Sequence, residues 1–202
     1  MIKNLNRDNK GFTLMEVVFI MVITVMVVYV TSTFIVRGFR SSVFAEEQNI
    51  AIRNARKINQ LMVNEIREGI RSEAGDYILD TTDPQEFIFY GDIDKDSNVE
   101  KIRYFLDNSV LKRGVTKPSG SPVEYVALDE VITEVAYYVN NQSEPIFTYY
   151  DRNNTLISDP PSGKTRVKLI NISLKINVTP TVAPNDYYVE MDAQLRNLKD
   201  NL

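Results

Sequence analysis

The longest run of hydrophobic positions lies close to the amino terminus. Residues 17–36 include no charged residue and no proline. About twenty apolar residues in an α-helix, at roughly 1.5 Å per residue, match the hydrocarbon core of a bilayer. The residues before Gly11 are polar and basic, and basic flanks favour an amino terminus in the cytoplasm. The pattern therefore predicts a transmembrane helix over residues 12–36, with the rest of the chain exported.

A second helical pattern continues beyond the apolar run. Hydrophobic residues recur there at three- and four-residue steps, which places them on one helix face. They are Ala51, Ala55, Ile58, Met62, Ile66 and Ile70. The spacing predicts an amphipathic helix over residues 37–75 that ends near Gly75. Its apolar face needs a second element to pack against.

Shorter hydrophobic runs replace the helical spacing farther along the chain. Their content of β-branched and aromatic residues is typical of strands, and alternation at 172–176 leaves one strand face polar. The predicted strands are 87–90, 101–106, 110–115, 135–139, 145–150, 167–178 and 187–195. Residues 160–163 and 180–184 are proline-containing and predict exposed loops. The whole pattern predicts an α+β fold, in which an antiparallel β-rich head domain over residues 76–202 packs on the amphipathic helix.

Composition excludes several classes of function. The net charge of −4 argues against a general nucleic-acid binder, because phosphate contacts require clustered lysine and arginine. The sequence contains neither cysteine nor histidine. Thiolate nucleophiles, imidazole bases and Cys- or His-based metal sites are therefore excluded, and carboxylate chemistry is the form of catalysis left open.

A single acidic residue, Glu16, stands at the start of the apolar helix. An ionised carboxylate facing lipid costs about 3 kcal/mol toward the helix centre. Glu16 therefore requires either a partner or a position at the membrane interface, where long polar side chains reach water.

The segment from Gly11 to Glu16 reads GFTLME, between a short basic leader and the apolar helix. It resembles the processing motif of class III signal sequences, found in type IV prepilins and in the pseudopilins of type II secretion and DNA-uptake systems. The resemblance implies that prepilin peptidase removes the leader peptide 1–11, cutting between Gly11 and Phe12, and methylates the amino group of Phe12. It also implies that Glu16 meets the terminal amine of an adjacent subunit during assembly.

The same resemblance implies a minor pilin or pseudopilin, which is a structural subunit and not an enzyme. Its implied partners are other pilin or pseudopilin subunits, the inner-membrane assembly platform and membrane lipid. The implied location is the cytoplasmic membrane, with the amino terminus in the cytoplasm, and then a pilus or pseudopilus. The predicted helix-on-sheet head resembles the pilin fold and, more loosely, the large J-type or W-type minor subunits.

Three other interpretations of the amino terminus stay open. An ordinary secretory signal peptide could be cut near residues 31–33, although no Ala-x-Ala-like site is present and Glu16 would have no role. An uncleaved signal anchor is the second. The third is a signal-anchored extracytoplasmic ligand-binding protein.

One acidic stretch of the head is a candidate metal site. Oxygen-bearing side chains occupy alternate positions there, as in calcium-binding loops. They are Asp92, Asp94, Asp96, Asn98 and Glu100. An EF-hand would place glycine at Ser97 and an acid at Arg103, so the match is partial. A hydrated acidic hairpin loop is the simpler interpretation, structural calcium is the alternative, and no other cofactor is expected.

Two further groups of residues raise weaker candidates. Tyrosine pairs at 137–138, 149–150 and 187–188 could stack on a carbohydrate or a single-stranded nucleic acid. Strand alternation instead predicts one buried ring in each pair. Asp129, Glu130 and Glu134 could supply a glycosidase-like carboxylate pair, but surface charge explains them more simply.

Overall fold

A computed structural model of the chain describes residues 11–178 and 186–195. The basic leader residues before Gly11 and the loop at 180–184 lie outside the described residues. Helix α1 spans Leu14–Arg67 and a short helix α2 spans Pro160–Gly163. The strands are β1 (Leu79–Thr82), β2 (Glu86–Gly91), β3 (Glu100–Asp107), β4 (Val110–Thr116), β5 (Val131–Tyr137), β6 (Phe147–Tyr150), β7 (Leu169–Ile176) and β8 (Tyr187–Gln194).

The chain divides into two compact units, residues 1–46 and residues 47–202. In the first unit, residues 14–46 form the amino-terminal part of α1. This helix contains an apolar window with a mean hydropathy of 2.5 that is 0% buried, and it is long and apolar enough to cross a membrane. The exposed apolar surface is what a membrane-spanning helix requires.

In the second unit, residues 47–178 and 186–195 form two antiparallel sheets. Five strands form the first, in the order β1-β2-β3-β4-β5, and three form the second, in the order β6-β7-β8. Backbone hydrogen bonds join the sheets: the Asn140 N–H donates to the Lys175 carbonyl at 2.7 Å, and the Ile146 N–H donates to the Pro84 carbonyl at 2.8 Å. The predicted α+β fold is confirmed, with two sheets where the sequence predicts one.

The hydrophobic core lies between α1 and the two sheets. Alternate residues of β7 are fully buried, namely Ile170, Ile172, Leu174 and Ile176. From α1 the core takes Ala51, Ala55, Met62, Val63 and Ile66, and from the larger sheet it takes Phe87, Phe89, Ile102, Tyr104 and Leu111. Each large apolar side chain stabilises the fold by about 1.5–3 kcal/mol on burial. The amphipathic face therefore finds its partner in the sheets, as its spacing predicts.

Helix α1 ends at Arg67, so the predicted extension to Gly75 is wrong. The backbone beyond it pairs with β2 instead: Gly69 forms an antiparallel bridge with Gly91, and the Ile70 N–H donates to the Tyr90 carbonyl at 3.0 Å. A Cβ atom at Gly69 would lie 3.0 Å from the Ile66 carbonyl oxygen. The helical spacing continues one turn too far because Ile70 has an apolar side chain while its backbone joins the sheet.

A buried ion pair fastens α1 to the larger sheet. The Glu65 carboxylate accepts hydrogen bonds from Arg113 Nη2 at 2.7 Å and from Arg113 Nε at 3.2 Å. Tyr104 Oη donates to the same carboxylate at 2.6 Å. Glu65 is 7% exposed, and burial raises the pKa of Tyr104 well above its ordinary value, so the phenol stays a donor. The helix is thus held by directed bonds as well as by apolar packing.

Candidate functional site

Gly11 and Phe12 lie just before the start of α1. A Cβ atom at Gly11 would meet nothing within 4 Å, and Phe12 is 74% exposed. Packing within the described chain therefore gives no reason for glycine at position 11. Cleavage between these two residues stays a prediction that rests on the motif.

Glu16 occupies the third position of α1. Its backbone N–H donates to Thr13 Oγ1 at 3.3 Å, so Thr13 caps the helix. The arrangement Thr-x-x-Glu is one half of a capping box, in which the acid can also reach back to the cap residue. This structural use of Glu16 is absent from the expectations above, although the spacing of three positions between Thr13 and Glu16 signals it.

The other polar side chains of the apolar run hydrogen-bond to their own helix. Thr24 Oγ1 donates to the Ile20 carbonyl at 2.7 Å and Thr33 Oγ1 donates to the Tyr29 carbonyl at 2.9 Å. Such bonds let hydroxyl groups sit in an apolar environment. Glu16 differs, because no ion pair of its carboxylate occurs within residues 11–178 and 186–195. The Glu16 carboxylate can therefore bind a cationic group that another molecule supplies.

The acidic loop between β2 and β3 is shaped by its own carboxylates. The Asp96 N–H donates to Asp94 Oδ1 at 3.3 Å, the Ser97 N–H donates to Asp92 Oδ2 at 3.2 Å, and the Asn98 N–H donates to Asp96 Oδ1 at 2.8 Å. Ser97 adopts a φ of 76°, a left-handed conformation that a glycine favours. The loop makes this turn without glycine because the carboxylates hold the backbone N–H groups.

The structure brings three of the five predicted ligands together. Single oxygen atoms of Asp92, Asp94 and Glu100 all lie within 4.8 Å of one another. Asp96 lies beside them and faces Lys117, whose Nζ is 3.3 Å from Asp96 Oδ2 and 2.8 Å from Asp94 Oδ2. Lys117 follows β4. The sequence of the acidic stretch does not indicate that a lysine at the end of β4 contacts its carboxylates.

Asn98 and Glu100 play different roles in this cluster. Asn98 contributes its backbone N–H, which donates to Asp96. Glu100 is 1% exposed at its side chain. Its Oε2 accepts a hydrogen bond from the Ile93 N–H at 3.2 Å, while Oε1 is buried with no hydrogen-bond donor among the described residues. The predicted hydrated loop is therefore wrong at its carboxyl end, where the acid is fully buried.

Burial makes the contribution of Glu100 to stability depend on pH. Burial raises the pKa of its carboxyl above the ordinary value, and the Asp94 and Asp96 carboxylates reinforce that shift. The hydrogen bond from Ile93 and the Lys117 ammonium oppose it. A carboxyl with a raised pKa stabilises the fold fully below its unfolded pKa and loses that contribution as pH rises through the folded pKa.

Glu100→Gln is therefore expected to raise the free energy of unfolding at neutral pH. The gain should vanish below the ordinary pKa of 4.5, where both proteins carry a neutral group. Urea unfolding of the full-length protein across this pH range, with a calcium chelator present, measures the difference. Asp107→Asn, which changes a carboxylate bound to Lys112 at the next hairpin, is the control and should show no gain. A Glu100→Gln protein that is destabilised equally at every pH would contradict the expectation.

The tyrosine pairs follow the predicted alternation in one case of three. Tyr149 is buried, at 1% exposure, but Tyr137 and Tyr138 are 48% and 49% exposed, and Tyr187 and Tyr188 are 38% and 48% exposed. Alternation fails because Tyr138 lies past the end of β5 with a φ of 61°, while the 187–188 pair begins the edge strand β8. The exposure of each tyrosine pair therefore depends on its place in the sheet and not on alternation alone.

The exposed tyrosines of β8 are engaged with charged side chains. Arg56 Nη2 donates to Tyr187 Oη at 2.5 Å. Tyr188 Oη donates to Glu144 at 3.1 Å, and Lys175 Nζ lies 5.7 Å from the centre of the Tyr188 ring. These contacts give the rings structural partners, so the stacking interpretation gains no support.

The candidate catalytic carboxylates have separate structural roles. Glu130 Oε2 lies 3.4 Å from Arg103 Nη1, and Glu134 Oε2 accepts a hydrogen bond from Tyr137 Oη at 2.9 Å. Asp129 closes an exposed 3-10 turn. Asp129 and Glu134 are exposed and fit the interpretation as surface charge, whereas the Glu130 side chain is 14% exposed and pairs with Arg103.

The chain has few detectable similarities to known proteins. No protein-family model matches it, and no curated protein matches it. Among solved structures, it is similar to a chain of the crystal structure of the GspK-GspI-GspJ complex from the enterotoxigenic Escherichia coli Type 2 Secretion System. The match has 10% sequence identity and a TM-score of 0.44, and it covers 72% of this chain and 97% of that chain. A similarity at this level assigns no function. The fold and the candidate sites are therefore described from the residues of this chain.

Proposed function

We propose that this protein is a membrane-anchored structural subunit of the minor pilin or pseudopilin type. The observation that carries the proposal is the apolar, exposed start of α1, preceded by Gly11 and Phe12 and containing one charged residue, Glu16, up to position 36. A helix this apolar is stable in lipid or against other helices like it. Filament subunits require both environments, the membrane before assembly and the packed helices afterwards.

Processing supplies the group that Glu16 lacks. Cleavage after Gly11 creates an α-amine at Phe12, four residues from Glu16 and about one helical turn away. The resemblance of the GFTLME segment to class III signal sequences supports prepilin peptidase as the enzyme and N-methylation of Phe12 as the accompanying modification. The exposed position of Gly11 and Phe12 leaves this bond open to a protease.

The amine and the carboxylate would meet between adjacent subunits. In an apolar filament core, each charge is costly alone, and a pair of opposite charges at a fixed spacing sets the register of packing. Other pilin or pseudopilin subunits and the inner-membrane assembly platform are thus the proposed partners, with membrane lipid around the helix before assembly. The proposed location is the cytoplasmic membrane, with the head outside, and then the pilus or pseudopilus.

Mass spectrometry of the amino-terminal peptide from the native host tests this proposal. We expect a peptide that begins at N-methylated Phe12. Gly11→Val should retain the leader, because a side chain at this position hinders entry of the backbone into the protease site. Gly38→Val is the matched control, since a Cβ atom at either glycine would meet nothing within 4 Å, and it should be processed normally.

Other amino termini would contradict the proposal. A wild-type chain that begins at Met1 would be an uncleaved anchor, and one that begins near residue 32 would be a secreted protein. Processing of Gly11→Val at the wild-type site would show that the cleavage does not depend on the predicted motif.

A further inference from the structure

We infer that the loop between β2 and β3 binds one Ca²⁺ ion through Asp92, Asp94 and Glu100, and that the ion displaces Lys117 from this cluster. The inference concerns the head alone and does not depend on the proposed filament role. It rests on the geometry of the carboxylates, on two buried oxygen atoms without donors and on the position of Lys117.

The spacing of the carboxylate oxygens suits a calcium ion. Oxygen ligands lie about 2.3–2.6 Å from Ca²⁺, so two ligands of one ion are at most about 5 Å apart. One carboxylate oxygen each of Asp92, Asp94 and Glu100 lies within 4.8 Å of the other two. An all-oxygen donor set on a loop favours calcium over zinc, and the absence of His and Cys from the sequence agrees with this.

Two oxygen atoms of the cluster lack a donor and cannot reach water. Asp92 Oδ1 and Glu100 Oε1 are buried with no hydrogen-bond partner among the described residues. The whole Glu100 side chain is 1% exposed, which distinguishes it from an ordinary surface acid. A buried carboxylate oxygen without a partner is costly. A divalent cation bound by these carboxylates would supply the positive charge that the buried groups lack.

The Lys117 ammonium lies beside the outer carboxylates of the cluster, where a metal ion would bind. Its Nζ binds Asp94 at 2.8 Å and Asp96 at 3.3 Å, but it lies 3.9 Å from Glu100 Oε1. The ammonium therefore contacts the outer carboxylates closely and the buried carboxylate only at the longer distance of an ion pair without a hydrogen bond. Its side chain is 60% exposed, so it can turn into water when a divalent ion binds.

The loop needs little rearrangement to present these ligands. Its backbone N–H groups already orient Asp92, Asp94 and Asp96 through the hydrogen bonds described above. Preorganised ligands bind more tightly because less ordering accompanies binding. One rearrangement is required, namely the departure of Lys117, and it makes the affinity sensitive to that residue.

Isothermal titration of the full-length protein in detergent with calcium chloride tests the inference. We expect one ion per chain, with a dissociation constant of about 10⁻⁴–10⁻³ M, the range of extracellular calcium modules. Asp92→Asn and Glu100→Gln should each weaken binding at least about tenfold, because each removes a charged ligand. Asp107→Asn is the matched control and should bind as the wild type does.

Lys117→Met provides a gain of affinity that a misfolded protein cannot imitate. Removal of the competing ammonium should tighten calcium binding about tenfold, the effect of one neighbouring charge on a partly exposed site. Equal concentrations of magnesium should not prevent binding, because Mg²⁺ requires a tighter octahedral set.

Three results would overturn the inference. The first is wild-type protein that takes up no calcium at concentrations of about 10⁻² M, well above the expected range. Asp92→Asn and Glu100→Gln could bind as tightly as the wild type, which would place the ion elsewhere. Lys117→Met could bind no more tightly than the wild type, which would show that Lys117 does not compete with the ion. None of these results bears on cleavage after Gly11, so the two proposals fail separately.

Discussion

Replacing Glu65 with glutamine is expected to lower the free energy of unfolding of the head by about 3 kcal/mol. The substitution keeps the shape of the side chain but leaves the Arg113 guanidinium without its counter-charge. Arg113 is 18% exposed at its side chain, so solvent compensates for little of the loss. The hydrogen bond from Tyr104 can still be made to an amide oxygen. The variant therefore loses the attraction between the Glu65 carboxylate on α1 and the Arg113 guanidinium on β4.

Urea unfolding of the full-length protein, followed by far-ultraviolet circular dichroism and tyrosine fluorescence, measures this effect. Glu68→Gln, at the residue that follows the end of α1, is the control. Glu68 is 44% exposed and lies 3.9 Å from Lys95 Nζ, so its replacement should cost less than about 1 kcal/mol. Equal losses for the two variants, or a loss below about 1 kcal/mol for Glu65→Gln, would show that the buried pair does not couple helix and sheet.

Glu16→Ala is expected to reduce incorporation into filaments at least a hundredfold, on the order of the 3 kcal/mol lost when one member of a buried ion pair is removed. The Phe12 amine of the adjacent subunit would then enter an apolar core without a partner. The head should unfold at the wild-type urea concentration, because Glu16 lies outside the second compact unit. Immunoblots of the sheared filament fraction and of the membrane fraction measure the change.

Two further variants separate the assembly role of Glu16 from its role as a helix cap. Glu16→Gln retains a capping box, since glutamine can replace glutamate in it, but it removes the charge. If the ion pair carries assembly, Glu16→Gln fails as Glu16→Ala does. Glu47→Ala, which removes an exposed carboxylate of the same helix beyond the apolar run, should assemble normally. Assembly of Glu16→Gln at the wild-type level would leave only the capping role.

The hydrophobic pattern predicts seven of the eight strands found in the described part of the chain, to within four residues at either end. It misses β1, whose residues 79–82 read LDTT and contain one large apolar side chain. Strand β1 forms because its backbone pairs with β2 at the sheet edge, and a pairing partner leaves no trace in so short a segment. The strand prediction succeeds where burial on one face enforces alternation, as in β7.

The candidate calcium loop also combines features that the sequence shows with features that only the structure shows. Its alternating oxygen ligands are visible in the sequence from Asp92 to Glu100. The burial of Glu100 and the arrival of Lys117 are not visible, because both depend on how β3 and β4 pack in the sheet. The sequence therefore suggests where an ion could bind, and the fold supplies the observations that favour binding.

The sequence by itself determined the elements whose cause is local. An uninterrupted apolar run can satisfy its backbone in lipid only as a helix, and the three- and four-residue steps up to Ile66 define the buried face of α1. The GFTLME segment is likewise complete in a few adjacent residues. Only the tertiary structure decided where α1 ends, which tyrosines are exposed and which acids are buried. These features depend on contacts between residues far apart in the chain, such as Gly69 with Gly91. The spacing of residues within one segment does not reveal such contacts.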